Sequence, residues 1–289
     1  MSFSSDIKQE LNKNSNLANK EIVKYELIGY LISGNISIIN NGKSIKFSTE
    51  SDYNINRFSK LLTNLNVEHD IDVNGKNFIV ICKMKNIESI YKEINQLLND
   101  FSISQDEKKA MIRGAFMGGG SINNPENKYH LEIIFIDEKY QKMILKILEE
   151  LGIKIKTLTS QNKYILYLKE GEEISNFLAL IGANKAVMNF EDIRIKKEMR
   201  GNVNRLVNCE TANLNKTINE SIEQIEAIRK LQENGKFNKL DDNLKEIANL
   251  RIENPDMSLI ELGKLLKNPV GKSGVNYRLK KIMEIANEG

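Results

Sequence analysis

The residues best placed to do chemistry lie near the C-terminal end. Ser258-Leu-Ile-Glu261 has the spacing of a capping box and predicts a short helix ending near Lys267. Asn268-Pro-Val-Gly271 reads as a turn, and 272–286 as a second helix with Val275, Leu279, Ile282 and Met283 on one side. A short helix, a tight turn and a longer basic helix match a helix-turn-helix at about 258–286, whose second helix lies in a DNA major groove. The start of that helix, Lys272, Ser273, Asn276 and Tyr277, would then reach base edges. Asn276 is the best single base reader, because an amide pairs bidentately with adenine. Arg278, Lys280 and Lys281 would sit nearer phosphates, and Lys264 adds to the same basic island. The alternative is a solvated terminal helix whose lysines only confer solubility. The coincidence of basic excess, capping box and turn favours DNA.

A second basic island holds Arg194, Lys196, Lys197, Arg200 and Arg205 against Glu198. It reads equally as an exposed linker helix or as a binding element. Its continuation, from Asn202 to Leu214, is dense in amides, to which spacing alone assigns no chemistry. Between the islands, 210–256 is acidic on balance, so the formal charge of +3 conceals local segregation.

Other chemistries find no support. Gly118-Gly-Gly-Ser121 follows a helix and lacks a Lys-Ser/Thr pair, so it is structural glycine and not a phosphate loop. His69 and His130 are isolated in strand-like runs, Cys82 lies on a core face, and Cys209 has no activating pattern. No catalytic residue, metal site or cofactor is expected. Neither a signal peptide nor a spanning segment is legible, which predicts a cytoplasmic chain with no membrane partner.

The elements that must carry these residues show an internal duplication. Tyr25-Glu-Leu-Ile-Gly29-Tyr-Leu-Ile-Ser33-Gly34 and Ala110-Met-Ile-Arg-Gly114-Ala-Phe-Met-Gly118-Gly119 are apolar helices with small residues four apart, each ending in glycine. Small residues at that spacing let two helices approach closely. After the first come strands 36–39 and 45–49, a helix through Phe58 and Leu62, strands 67–73 and 78–84, and a helix 87–98. After the second come a strand 129–136, a helix 139–151, strands 153–159 and 164–168, and a helix 172–181. Asn123-Asn-Pro125 stands where a first hairpin partner is expected. The plan is αββαββα, twice, followed by an all-helical region with an amphipathic helix at 212–233 carrying Leu214, Ile218, Ile222, Ile225 and Ile228 along one side. The fold class is α+β. The expected domains are 1–185, with pseudo-repeats at about 18–100 and 105–185, a basic linker at 186–210, and a helical domain at 211–289.

The duplicated glycine-bearing helix resembles the LAGLIDADG homing-endonuclease domain, in which two such helices pair beneath a saddle of two sheets. Met111-Ile-Arg113-Gly114 through Pro125, Asn204-Arg205-Leu-Val-Asn208-Cys209-Glu210-Thr-Ala-Asn213-Leu214, and Leu262-Gly-Lys264 with Lys272-Ser-Gly-Val-Asn276-Tyr-Arg-Leu279 resemble, in order, the bacterial WhiA family. The resemblance implies a transcriptional regulator that binds double-stranded promoter DNA at the nucleoid. It further implies a role in cell division, chromosome segregation or sporulation, with other transcription or division proteins as further partners. In the nucleases an acidic residue ends each motif helix and holds a divalent metal. The motif laid on this chain puts Gly34 and Gly119 there, so no cleavage is expected; the alternative is an active Mg-dependent endonuclease.

Overall fold

The computed structural model describes residues 2–13, 17–100 and 102–288; residues 1, 14–16, 101 and 289, inside the domains expected above, lie outside them. They form two compact units, Met1–Glu198 and Met199–Gly289. In chain order the first unit holds α1 (Phe3–Lys13), α2 (Lys20–Leu31), β1 (Ile36–Ile39), β2 (Ser44–Thr49), α3 (Asp52–Asn64), β3 (His69–Asn74), β4 (Asn77–Lys83) and α4 (Glu88–Leu97). The second copy follows as α5 (Gln105–Gly119), β5 (Gly120–Ile122), β6 (Leu131–Phe135), α6 (Glu138–Glu150), β7 (Lys156–Ser160), β8 (Lys163–Leu168) and α7 (Gly171–Leu180). Then come α8 (Asn184–Glu233), α9 (Asp242–Glu253), α10 (Leu259–Leu265) and α11 (Lys272–Asn287).

The duplication is plain in the sheets. Both have four antiparallel strands, in the orders β1-β2-β4-β3 and β5-β6-β8-β7. The second copy does possess its first strand: β5 pairs with β6 as Gly120↔Ile133 to Ile122↔Leu131. Three residues entered directly from a helix are too few for period-two alternation to be read. The hairpin between β7 and β8 turns on Gln161 and Asn162, both with positive φ, as a two-residue turn requires.

At the centre α2 packs on α5, and both bury residues around most of their circumference. Their approach depends on two glycines. A Cβ on Gly29 would lie 2.6 Å from Ala115 N, and one on Gly114 would lie 2.9 Å from the Glu26 carbonyl carbon. Behind that contact Glu26 is buried and accepts from Arg57 Nε at 2.7 Å, Arg57 Nη2 at 2.8 Å and Arg113 Nε at 3.0 Å.

The N-terminal segment is more than polar sequence. It folds as α1, burying Phe3, Ile7 and Leu11 at helical spacing, and its Glu10 carboxylate accepts from Lys185 N and Ala186 N at the start of α8. The 186–210 segment contains no loop, since it is part of the 50-residue helix α8. A further difference concerns 212–233. Leu214, Ile218 and Ile222 are exposed, while Ser221, Gln224, Ile228 and Leu231 are buried. Of the expected row Ile228 is buried and Ile225 half-buried; the second unit also buries Ser221, Gln224 and Leu231, and Ser221 fits because its hydroxyl donates to Pro255 O at 2.6 Å.

Candidate nucleic-acid interface

The end of the α2/α5 pair is where a nuclease would hold its metal. Gly34 and Gly119 do meet there: Gly34 N donates to Ile134 O at 2.7 Å, and a Cβ on Gly119 would stand 2.9 Å from Gly34 N. The space for a side chain is filled by the Ile134 carbonyl and Ser33, and the Ser33 hydroxyl is spent on Tyr30 O at 2.6 Å. Among the described residues no group of three or more His, Cys, Asp or Glu is placed to hold a metal ion. The residues present do not fit a divalent cation.

The outer faces of the sheets mix charges of both signs. Opposite the helix-facing rows, register aligns Ser37, Lys46, Ile81 and Asp70 in one sheet and Ser121, Glu132, Tyr167 and Lys156 in the other. In each of these rows one carboxylate stands with one lysine.

In the second unit, α9, α10 and α11 enclose a core of Leu244, Ile247, Ala248, Leu262, Leu266, Val275, Leu279 and Ile282, completed by Ile228 and Leu231 of α8. The capping box is present: the Ser258 hydroxyl accepts from Glu261 N at 3.3 Å, and Ser258 N donates to the Glu261 carboxylate at 2.9 Å. Those bonds hold the Glu261 carboxyl below its usual range. The turn between α10 and α11 is closed by Val270 N donating to Gly263 O at 3.2 Å, and Gly263 has no room for a Cβ beneath the Val270 carbonyl. Lys267 N donates to Glu246 Oε1 at 2.7 Å, which ties the turn to α9.

On α11, Ser273, Tyr277, Lys280 and Lys281 are exposed at i, i+4, i+7 and i+8, opposite buried Val275, Leu279 and Ile282. Tyr277, 68% exposed, stands at the middle of this face. Asn276 and Arg278 are half-buried at its two edges, and Lys272 is exposed in the first turn. Gly271 supplies no side-chain cap, so the first backbone N–H groups of α11 lack a side-chain acceptor there and suit a phosphate. Lys264 is exposed on α10.

The residues of the other island divide. Arg194 pairs with Glu191 at 2.9 Å, and Lys197 donates to Asn127 O at 3.0 Å while lying over the Tyr129 ring. Lys196, Arg200 and Arg205 are exposed, with Arg205 bonded to the Asn202 side chain.

Sequence reading missed Arg251, which is buried and donates to Pro255 O at 3.3 Å and Met257 O at 2.8 Å, fixing the entry to α10. Its one signal is position: it continues the buried row Leu244, Ile247, Ala248 of α9.

Among the described residues no helix is long and apolar enough to cross a membrane. Comparison with known proteins matches residues 108–200 to the WhiA LAGLIDADG-like domain and 203–286 to the WhiA C-terminal HTH domain. A probable cell division protein WhiA of Clostridium beijerinckii is 40% identical over 310 residues, covering 100% of this chain and 98% of the relative. One from Clostridium botulinum is 39% identical with the same coverage. The crystal structure of full-length WhiA from Thermatoga maritima superposes with TM-score 0.64 at 30% identity, covering 100% of this chain and 99% of that one. A separate N-terminal LAGLIDADG domain of WhiA covers 63% of this chain at TM-score 0.55 and 26% identity. With two domain models in sequence order and relatives matched along its whole length, the chain belongs to the WhiA family.

Proposed function

We propose that this chain is a sequence-specific DNA-binding regulator of transcription, acting on genes of cell division, chromosome segregation or sporulation, and that it does not cut DNA. The observation that carries the reading is the exposed Ser273/Tyr277/Lys280/Lys281 face of α11, set by α9 and α10 in helix-turn-helix order. Tyr277 and Ser273 sit where base edges would be met, with Asn276 beside them. Lys264, Lys272, Arg278, Lys280 and Lys281 supply phosphate contacts. Arg200 on α8 is exposed and adds to them, with Arg205 beside it bonded to the Asn202 side chain, whereas Arg194 pairs within α8 with Glu191 and Lys197 serves first to hold α8 on its own unit.

Replacing Lys272, Arg278 and Lys280 together with alanine weakens binding to promoter duplexes. It also lowers the slope of log affinity against log salt by about one unit per lost phosphate contact. An unchanged slope in the triple variant rejects α11 as the reading helix. Absence of cleavage is checked by incubating the full chain with supercoiled plasmid and Mg²⁺. Intact supercoils are expected, and nicking that tracks the protein through purification overturns the non-cleaving assignment. Crosslinking in cells followed by sequencing of the bound DNA identifies the promoters and shows association with the nucleoid.

A further inference from the structure

The middle of α8 has a composition that neither core explains. Every residue from 202 to 220 is exposed, so packing dictates none of them. An exposed helix gains most from Ala, Glu, Lys and Leu, whereas asparagine is among the poorer helix formers. Yet Asn202, Asn204, Asn208, Asn213, Asn215 and Asn219 all fall here. Stability therefore does not account for them, and neutral amides contribute little to solubility.

Helical geometry sorts them. At about 100° per residue, Gly201, Asn204, Asn208, Ala212 and Asn215 share one face, bordered along one edge by Arg205 and Lys216. The only carboxylate between 199 and 219, Glu210, lies about 200° from Asn208, on the far side. That far side is apolar, with Met199, Val203, Leu206 and Leu214 exposed. Among the described residues Asn204, Asn208 and Asn215 make no side-chain hydrogen bond, so their paired donors and acceptors are available. Small residues at 201 and 212 let the backbone itself come close to a partner.

We infer that this Asn204/Asn208/Asn215 face is a second DNA-reading element, which enters a major groove and reads adenine, with Arg205 and Lys216 on the phosphates along one side of the groove. A lone α-helix about 10–12 Å across fits a groove about 12 Å wide, and an asparagine amide matches adenine N6 and N7. The charge favours duplex DNA: two cations border one edge of the face, Lys216 with Glu220 4.0 Å away behind it, and no carboxylate lies on the face itself. A protein partner would be met instead through the opposite, apolar side. The inference rests on the DNA-binding reading above and extends it from one element to two.

The test is selection of bound sites from a random duplex library by the full chain and by its Asn204→Ala/Asn208→Ala variant. The wild type is expected to return a site of two elements. The variant is expected to keep the α11 element and lose adenine preference in the other, with affinity for the wild-type site falling roughly 5- to 150-fold per lost bidentate pair. Its salt slope stays unchanged because no charge is removed, and its helix content by circular dichroism is equal or higher because alanine favours helix. Selection of the same site with unchanged affinity by the variant, or a wild-type site of one element, overturns the inference and leaves the α11 reading standing. Failure of the wild type to select any duplex removes both.

Discussion

At the scale of single residues, Glu26 shows how much of this fold turns on one carboxylate. It sits where Gly114 brings α5 against α2, and two guanidiniums converge on it. Burial pushes its carboxyl up, but the Arg57 hydrogen bonds and the charges of Arg113 and Arg57 outweigh burial and hold it below the ordinary 4.5. A depressed carboxyl contributes stability that is fully present above its unfolded value and lost as pH falls through its folded value. Glu26→Gln is therefore expected to lower stability at neutral pH and to flatten the acid limb of the stability profile below about pH 4.5, measured by urea unfolding across pH. Glu26→Ala leaves Arg57 buried without its counter-charge and is expected to cost about 3–5 kcal/mol. An acid limb as steep in Glu26→Gln as in the wild type assigns the pH dependence to other carboxylates.

At the scale of elements, the capping box that starts α10 depends on a side chain from the helix before it. Arg251 spends its donors on the carbonyls of Pro255 and Met257, has no carboxylate partner, and Ser221 of α8 shares the Pro255 oxygen. Arg251→Ala is expected to destabilise the second unit by about 1.5–3 kcal/mol, the range for a charged hydrogen bond. DNA binding weakens with it but keeps its salt slope, because Arg251 is buried and touches no phosphate. A reduced slope contradicts the purely positioning role. The comparison of sequence with structure is clearest among such elements. The α2/α5 pair and the pair α10 and α11 were legible because glycine spacing, a turn and a capping box are local signals. Strand β5 is too short to alternate, and the only local signal of α1 is the helical spacing of Phe3, Ile7 and Leu11. At 214–222 the apolar period runs along exposed helix and meets a core only from Ile225 and Ile228 on, while at 221 the Pro255 carbonyl accepting from Ser221 turns a polar residue inward. In the interface the basic residues were legible as types. That Lys197 is occupied by Asn127 and Tyr129, and that Asn276 stands at an edge behind Tyr277, depended on tertiary neighbours.

At the scale of the whole molecule, the two units have separate apolar cores. α8 gives Ala186 and Phe190 to one, Ile228 and Leu231 to the other, and residues 202–220 to neither. Residues 202–220 pack into neither core, so that stretch of α8 carries no side-chain contact along itself. Leu279→Ala, at a fully packed position of α11, is expected to destabilise the second unit by about 2–5 kcal/mol, and Ile112→Ala on α5 to do the same to the first. Hydrogen exchange read amide by amide separates the two. In Leu279→Ala, protection should fall across α9 to α11 while the α2/α5 pair and both sheets keep theirs, and Ile112→Ala should show the reverse. Parallel loss in both units from either substitution means that folding is cooperative across α8, and that 202–220 is held by more than its own helical hydrogen bonds. The same measurement with saturating duplex present bears on function: protection that rises in α11 and also in 202–220 marks both as parts of one DNA-bound surface.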